Sequence, residues 1–265
     1  MRFSINFFSL FFILYFTSIK AQFNFQLKDS VALPQSNNYQ LKINSKSEIF
    51  IIQNYSQLIK INRDLSSYYY SQNKIISHFD GHLSLKNAVI YNHQELQFLD
   101  DKLNPIQNPI NLNQYQIYPS AISIIDNQLL WYFDPIEQRL IQWNYQTKET
   151  INKSGILFFK PEDSTIEELY TYKNRIFLKS QNWIYEYDFF GNFKSEIAIP
   201  KNEKHSFSSS YIYLLNQNML TEINLMNHEI SSTDNFFYGK DFIMDDDQLF
   251  VIKDNLMYIY TRIKN

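Results

Sequence analysis

Residues 121–152, AISIIDNQLLWYFDPIEQRLIQWNYQTKETIN, decide the fold. An apolar run is followed by a polar pair, a second apolar run, a turn, and a third run that ends on Trp143-Asn144. A further turn leads into a short Thr/Ile segment. Runs of this length are too short for stable helices and typical of strands, so the stretch reads as four short strands in succession. Leu129-Leu130-Trp131-Tyr132-Phe133 stops at Asp134-Pro135, where proline cannot donate to a sheet ladder and the preceding Asp favours a turn. Apolar residues fall on both faces of these strands, as sheets sandwiched between other sheets require. A β-sandwich hairpin would read the same from this stretch alone.

The rest of the chain separates the two readings, because it repeats the pattern. The second strand has counterparts in Ile49–Ile52, Ala88–Tyr91, Arg175–Leu178, Tyr211–Leu214 and Leu249–Ile252. Third strands follow, five of them ending on an apolar residue and then Asp or Asn: Ile61-Asn62, Leu99-Asp100, Trp143-Asn144, Tyr187-Asp188 and Ile223-Asn224. The sixth ends Ile259-Tyr260-Thr261, and successive end positions lie 38, 44, 44, 36 and 37 residues apart. A period near forty with several strands per unit predicts a β-propeller, all-β, with six blades of four antiparallel strands.

The recurring Asp or Asn has a local task. Its side chain accepts from backbone N–H groups about two residues on and so opens the turn to the outer strand. On these residues the chain resembles known propeller families. Tyr187-Asp188-Phe189-Phe190-Gly191-Asn192 resembles the Y-D-x-x-G-N turn of six-bladed propellers of the NHL kind. Tyr145–Glu149 is similar to the D-x-x-T-G-K turn of quinoprotein blades, without its first Asp and its Gly. The resemblance implies architecture and carries nothing about activity.

The two ends fit a closed ring. Only five residues follow Tyr260, so the last repeat lacks a fourth strand, while Phe23–Leu27 with Val31-Ala32-Leu33 is an unassigned apolar run near the start. This run is expected to supply the outer strand of the last blade, which hides an edge and ties the termini together. Before it, Met1-Arg2, the apolar run Phe7–Phe16 and a more polar stretch to Ala21 have the layout of a signal peptide (residues 1–21). Cleavage is expected after Ala21; an uncleaved anchor is the alternative, since Ile19 is bulky for its position. Residues 22–265 then form a single propeller domain. A hydrophobic content of 45% gives that domain material for a large core.

Composition narrows the function classes. The net charge is −3 and no basic block is present, which argues against a nucleic-acid partner. The chain has no cysteine, so disulfides, thiolate metal sites and cysteine nucleophiles are excluded, and packing must hold an exported fold together. With 20 Tyr and 23 Phe against 4 Gly, aromatics must fill the strands while Asn, Asp and Ser make the turns.

Several clusters invite chemistry. His78-Phe79-Asp80-Gly81-His82 brings two imidazoles and a carboxylate together, as a metal site or a general base would. Asp80-Gly81 is also a hairpin signal, and the reading preferred from sequence is a turn with two solvated imidazoles. His93, His205 and His228 read as isolated surface residues in polar turns. Asp245-Asp246-Asp247 lacks the alternating ligands, Gly and Glu of a calcium loop and reads as a tight turn. Glu162, Asp163, Glu167 and Glu168 read as a solvated acidic loop, with one helical turn as an option. Pro105–Leu112 reads as a blade-to-blade crossing and Pro200–Ser210 as a polar loop. Tyr68-Tyr69-Tyr70 with Tyr115 and Tyr118 are candidates for an aromatic contact surface on loops. No G-x-S-x-G elbow, Walker loop, H-E-x-x-H or dinucleotide fingerprint occurs.

The reading from sequence is therefore an exported, periplasmic or extracellular, non-catalytic binding or scaffold module of the cell envelope. It is expected to be monomeric, with no catalytic set, metal or cofactor and with an envelope protein or glycan as partner. Membrane contact would come only through a partner or an uncleaved signal. The alternative is a hydrolase or lyase using the central channel, with His78, Asp80 or His82 at one mouth. A degenerate sensor propeller that has lost its attached domains is a third possibility.

Overall fold

The first strand of the chain, β1 (Asn24–Ala32), belongs to the last blade. Blade 1 follows as β2 (Tyr39–Ile43), β3 (Ile49–Gln53), β4 (Gln57–Ile61) and β5 (Ser67–Ser71). Blade 2 is β6 (Ile76–Asp80), β7 (Asn87–Tyr91), β8 (Glu95–Leu99) and β9 (Ile110–Asn111), with a 3-10 turn at Leu112–Tyr115. Blade 3 is β10 (Ala121–Ile124), β11 (Leu129–Asp134), β12 (Arg139–Asn144) and β13 (Glu149–Lys153). Blade 4 is β14 (Ile166–Tyr172), β15 (Arg175–Ser180), β16 (Trp183–Asp188) and β17 (Phe193–Ala198). Blade 5 is β18 (Lys204–Ser208), β19 (Tyr211–Asn216), β20 (Met219–Asn224) and β21 (Ile230–Thr233). Blade 6 is β22 (Asp241–Met244), β23 (Gln248–Lys253) and β24 (Leu256–Ile263), completed by β1. This computed structural model describes residues 24–44, 46–81, 83, 86–160, 163, 165–199, 204–208, 210–216, 219–233, 237, 239–245 and 247–263. The expected signal peptide, Met1–Ala21, lies outside them, as do His82, Glu162 and Asp246.

The chain is a six-bladed β-propeller, and every blade is antiparallel throughout. Its second strands are buried on both faces, as in β3 and β7, where all five residues are inaccessible. Six apolar clusters lie among the described residues, one at each blade-to-blade junction. Phe50 and Ile52 of blade 1, for instance, meet Val89 and Tyr91 of blade 2, and Phe177 of blade 4 meets Ile212 of blade 5. The last junction brings Ile259 of blade 6 against Ile51 and Ile59 of blade 1. The ring closes as the termini predict: β1 pairs with β24 from Asn24↔Ile263 to Ala32↔Leu256, and Phe25 packs edge-on against Phe237 at 5.4 Å.

The Asp/Asn turns form as the sequence pattern requires, with one substitution of role. Asp100 Oδ1 accepts from the N–H of Lys102 at 2.8 Å, Asn144 Oδ1 from Gln146 at 2.9 Å, Asp188 Oδ1 from Phe190 at 2.9 Å and Asn224 Oδ1 from Met226 at 2.8 Å. In blade 1 the task passes from Asn62 to Asp64, whose Oδ1 accepts from Ser66 N–H at 3.0 Å.

Three segments differ from their sequence reading. Pro105–Leu112 is not a simple crossing: its Ile110–Asn111 pairs with β8 as the outer strand of blade 2, cut to two residues by Pro109 before it and the 3-10 turn after it. The polar stretch Pro200–Ser210 holds β18, the innermost strand of blade 5, polar because one of its faces looks into the channel. The acidic segment forms no helical turn at Glu167-Glu168, which lie in β14. Asp163 is buried, accepting from Ser180 Oγ, from Asn182 N–H at 3.1 Å and from Tyr185 Oη at 3.1 Å.

Candidate functional site: the central channel

The six innermost strands, β2, β6, β10, β14, β18 and β22, surround a central cavity of about 420 Å³. Because alternate residues of a strand point to opposite faces, five of these strands contribute one or two polar side chains to the lumen, while β10 presents only Ala121 and Ile122 there. The lumen receives Gln40 and Lys42 from β2, His78 and Asp80 from β6, Glu168 from β14, His205 from β18 and Asp241 from β22.

Two β-bulges set the aim of the channel residues. In β6 the register slips between Ile76 and His78, leaving Ser77 unpaired; its hydroxyl donates to Ile90 C=O at 2.9 Å and accepts from His93 N–H at 2.9 Å. In β14 the slip falls between Ile166 and Glu168. A bulge bends its strand and re-aims the side chain beyond it, here His78 and Glu168.

Glu168 is the hub of the lumen. Its Oε1 binds Lys42 Nζ and its Oε2 lies 2.9 Å from His205 Nε2. Lys42 stands on blade 1 and Glu168 on blade 4, which face each other across a ring of six, so this ion pair bolts the channel from side to side. Burial by itself raises the Glu168 pKa, but Lys42 and His205 outweigh it and hold the carboxyl well below the usual range. Burial pulls His205 down from its ordinary 6.5, and the Glu168 carboxylate opposes that pull. Neighbouring Glu167 is bound by Lys179.

The remaining acids staple adjacent blades. Asp80 Oδ2 accepts from Ile124 N–H of blade 3 at 2.5 Å, and Asp241 Oδ2 from Leu41 N–H of blade 1 at 2.6 Å. Burial raises the Asp241 pKa to about 6 against the opposing pull of Leu41 N–H, Phe242 N–H, Lys204 and Lys42. His78 is kept neutral: burial first, then the nearby His93 and Lys42, lower its pKa to about 4, with Glu168 opposing. Its ring sits edge-on to His93 at 5.3 Å, while its buried Nε2 and the buried Ser206 Oγ have no hydrogen-bond partner among the described residues.

These placements correct the sequence reading of the histidines. His78 is a strand residue with a buried ring nitrogen rather than a solvated turn imidazole. His205 lies in the channel wall rather than in a surface turn. His93 is in a turn but packs on His78, and His228 lies near Glu186 Oε2 at 3.3 Å. Asp245 lies in the expected tight turn, its N–H donating to Gln248 C=O at 2.8 Å. Tyr68–Tyr70 form strand β5, whereas Tyr115 and Tyr118 lie between blades 2 and 3, so the structure does not join them into one loop surface. Among the described residues no group of three metal-ligating side chains comes together. The sequence signal that could have found Glu168 and His205 is weak: both lie in polar segments that fit the strand period only once six blades are imposed.

Outside the channel, one seam of the ring exposes large apolar side chains. The segment Ser154–Lys160 runs along the flank of blade 4. At one end Ser154 touches Gly191; at the other Phe159 packs on Tyr185 and Lys160 lies over the Trp183 ring. Along this seam Phe158 is 85% exposed, Phe190 76%, Phe193 55% and Ile156 51%.

Comparison with known proteins identifies the fold and nothing narrower. No family model matches the chain, and no curated protein matches it. Solved propellers do. The chain is similar to the WD40 domain of Neurospora crassa Pan2 at 8% identity, over 91% of this chain and 96% of that one, with a TM-score of 0.58. It is similar to Staphylococcus aureus virginiamycin B lyase, solved in a catalytically inactive form with quinupristin, at 12% identity, over 90% and 99%, with a TM-score of 0.59. A third likeness, at 8% identity with a TM-score of 0.50, is to PorZ, an essential bacterial surface component of the type-IX secretion system of Porphyromonas gingivalis. It covers 84% of this chain and 36% of PorZ.

Proposed function

We propose that this chain is an exported, non-catalytic binding module whose contact surface is the exposed aromatic seam between blades 3 and 4. The observation that carries this reading is the run of Ile156, Phe158, Phe190 and Phe193 along one seam of a rigid ring. Large aromatic side chains left this far exposed are uncommon on a monomer's surface, and aromatic residues supply many of the anchors of protein interfaces. The state of the channel acids supports the same reading. Glu168 is held by a lysine and a histidine, and Asp80 and Asp241 by backbone N–H groups of the next blade, so each is committed to holding the ring. The partner class is an envelope protein, reached after removal of residues 1–21. The test is a crosslinked pull-down of the tagged protein from envelope fractions of its own host, repeated with Phe158→Ser/Phe190→Ser. A stoichiometric protein captured by the parent chain and lost with the variant supports the seam. A partner retained by the variant removes it.

A second reading rests on the central cavity itself, about 420 Å³ and lined by Lys42, His78, Glu168 and His205, which is large enough for a small hydroxylated molecule. In that reading the channel binds a small ligand, with a hydrolase or lyase as its catalytic form. A thermal-shift screen with mono- and disaccharides tests it: a stabilisation abolished by His78→Phe would favour the channel over the seam.

A further inference from the structure

Along blades 4 and 5 the channel wall is built in two rungs. Glu168 on β14 and His205 on β18 form the first, joined at 2.9 Å. Two residues further along the same strands, and so on the same strand faces, Tyr170 and Phe207 form the second, their rings stacked at 4.9 Å. Strand geometry sets the two rungs ~7 Å apart. Tyr170 and Phe207 line both the lumen and a further pocket of about 310 Å³, which extends to Tyr172 and Phe189. One cavity therefore offers a polar rung beside an aromatic one.

The polar rung has hydrogen-bonding capacity to spare. Among the described residues Lys42 Nζ is bound only by Glu168 Oε1, which leaves two of its three N–H groups unused. The two oxygens of Glu168 take one donor each, from Lys42 and His205, and each keeps a lone pair. His205, kept neutral at pH 7 by burial, donates from Nε2 to Glu168 and retains Nδ1 as an acceptor. All three side chains also keep accessible surface: 32% for Lys42, 23% for Glu168 and 20% for His205. The trio has no net charge. An anion would meet Glu168, a cation would meet Lys42, and an apolar guest would strand the spare donors and acceptors. Hydroxyl groups satisfy them, because each donates and accepts at once, and two adjacent hydroxyls serve Lys42 and Glu168 together. The aromatic rung adds a demand for a C–H face beside those hydroxyls. We propose that the lumen binds a neutral pyranose sugar, its hydroxyls on Lys42, Glu168 and His205 and its C–H face against Tyr170. This rests on the channel reading above and narrows the ligand to one chemical class.

An NMR titration of the purified chain with the methyl glycosides of glucose, galactose, mannose and N-acetylglucosamine tests it. At least one is expected to bind saturably, with a dissociation constant on the order of 0.1–10 mM, and at least tenfold more tightly than glucuronate, glucosamine or sorbitol. The imidazole Cε1–H signal of His205, identified through His205→Gln, should shift on binding. That of His228, which lies beside Glu186 on the third strand of blade 4, should stay in place. The double variant Lys42→Met/Glu168→Met, checked first for a cooperative melt, should bind the sugar at least tenfold more weakly. Should that variant fail to fold, the His205 signal of the parent chain decides. A sugar that binds without moving that signal overturns the proposal, as does binding unchanged in a folded double variant. If glucuronate, glucosamine or sorbitol moves the His205 signal and no neutral pyranose does, the channel stands as a ligand site and the sugar falls. If no compound of the set binds at about 50 mM, the sugar proposal falls and the channel reading loses its support with it.

Discussion

Five turns between third and fourth strands each hold one residue in the left-handed region: Leu65 at φ 64°, Leu103 at 64°, Lys148 at 68°, Gly191 at 81° and His228 at 60°. The conformation costs a side-chain-bearing residue ~1 kcal/mol or more, and this chain, with 4 glycines, spends a glycine on it only in blade 4. Leu65 is an exposed turn residue, so Leu65→Gly should stabilise the fold by about 1 kcal/mol and raise the melting temperature by ~2–4 °C. A fall in melting temperature would show that its side chain contributes more than the backbone strain costs. At Gly191 the same slot is obligatory, because a Cβ there would lie 2.3 Å from Ser154 Cβ. Gly191→Ala should destabilise by about 2 kcal/mol or more in urea unfolding. Protonation supplies another residue-scale test. The folded pKa of His78, about 4, lies below its ordinary 6.5, so the stability it represents is whole above pH 6.5 and lost as pH falls toward 4. The amount is on the order of 3 kcal/mol. Asp241 acts in the opposite sense: with its pKa raised to about 6, its burial is penalised above that pH and relieved as pH falls. His78→Gln should therefore flatten the loss of stability between pH 6.5 and 4; a slope unchanged from the parent would refute the assignment.

At the scale of elements, β1 does work that its own burial does not reveal. Most of its residues are exposed, yet it covers the edge of β24 and brings Phe25 against Phe237, which in turn packs on Tyr260 at 5.2 Å. Deleting residues 24–33 should lower the melting temperature sharply, since it opens the sheet that joins the two ends of the chain. A truncated protein that melts like the parent would show that six blades hold without that clasp. The Asp/Asn turns are the elements most legible in the sequence, because both the side-chain acceptor and the N–H groups it serves lie within a few residues of each other. Inner strands such as β18 were less so: a strand with one face in a wet lumen has the composition of a loop.

For the whole molecule, the decisive contact is the ion pair of Lys42 and Glu168, drawn from opposite blades. Removing one member leaves the other, a partly exposed charge in the lumen, without that partner (Glu168 then keeps only His205), which costs more than replacing both. Lys42→Met and Glu168→Met should each destabilise the ring, and the double variant should be more stable than the less stable single variant. Additive losses in a double-mutant cycle would mean that the two residues do not act as a pair.

The sequence by itself determined the blade count, the four-strand repeat, the Asp/Asn turns and the clasp by the N-terminal strand. All are consequences of periodicity and local hydrogen bonding, which the order of residues encodes directly. Only the tertiary structure decided what occupies the centre. Lys42, His78, Glu168 and His205 are separated along the chain by whole blades, and two bulges invisible in the residue pattern aim His78 and Glu168 inward. The aromatic seam likewise exists only because blade 4 is folded against the segment leaving blade 3. Contacts of that kind arise from closing the ring, and no local pattern specifies them.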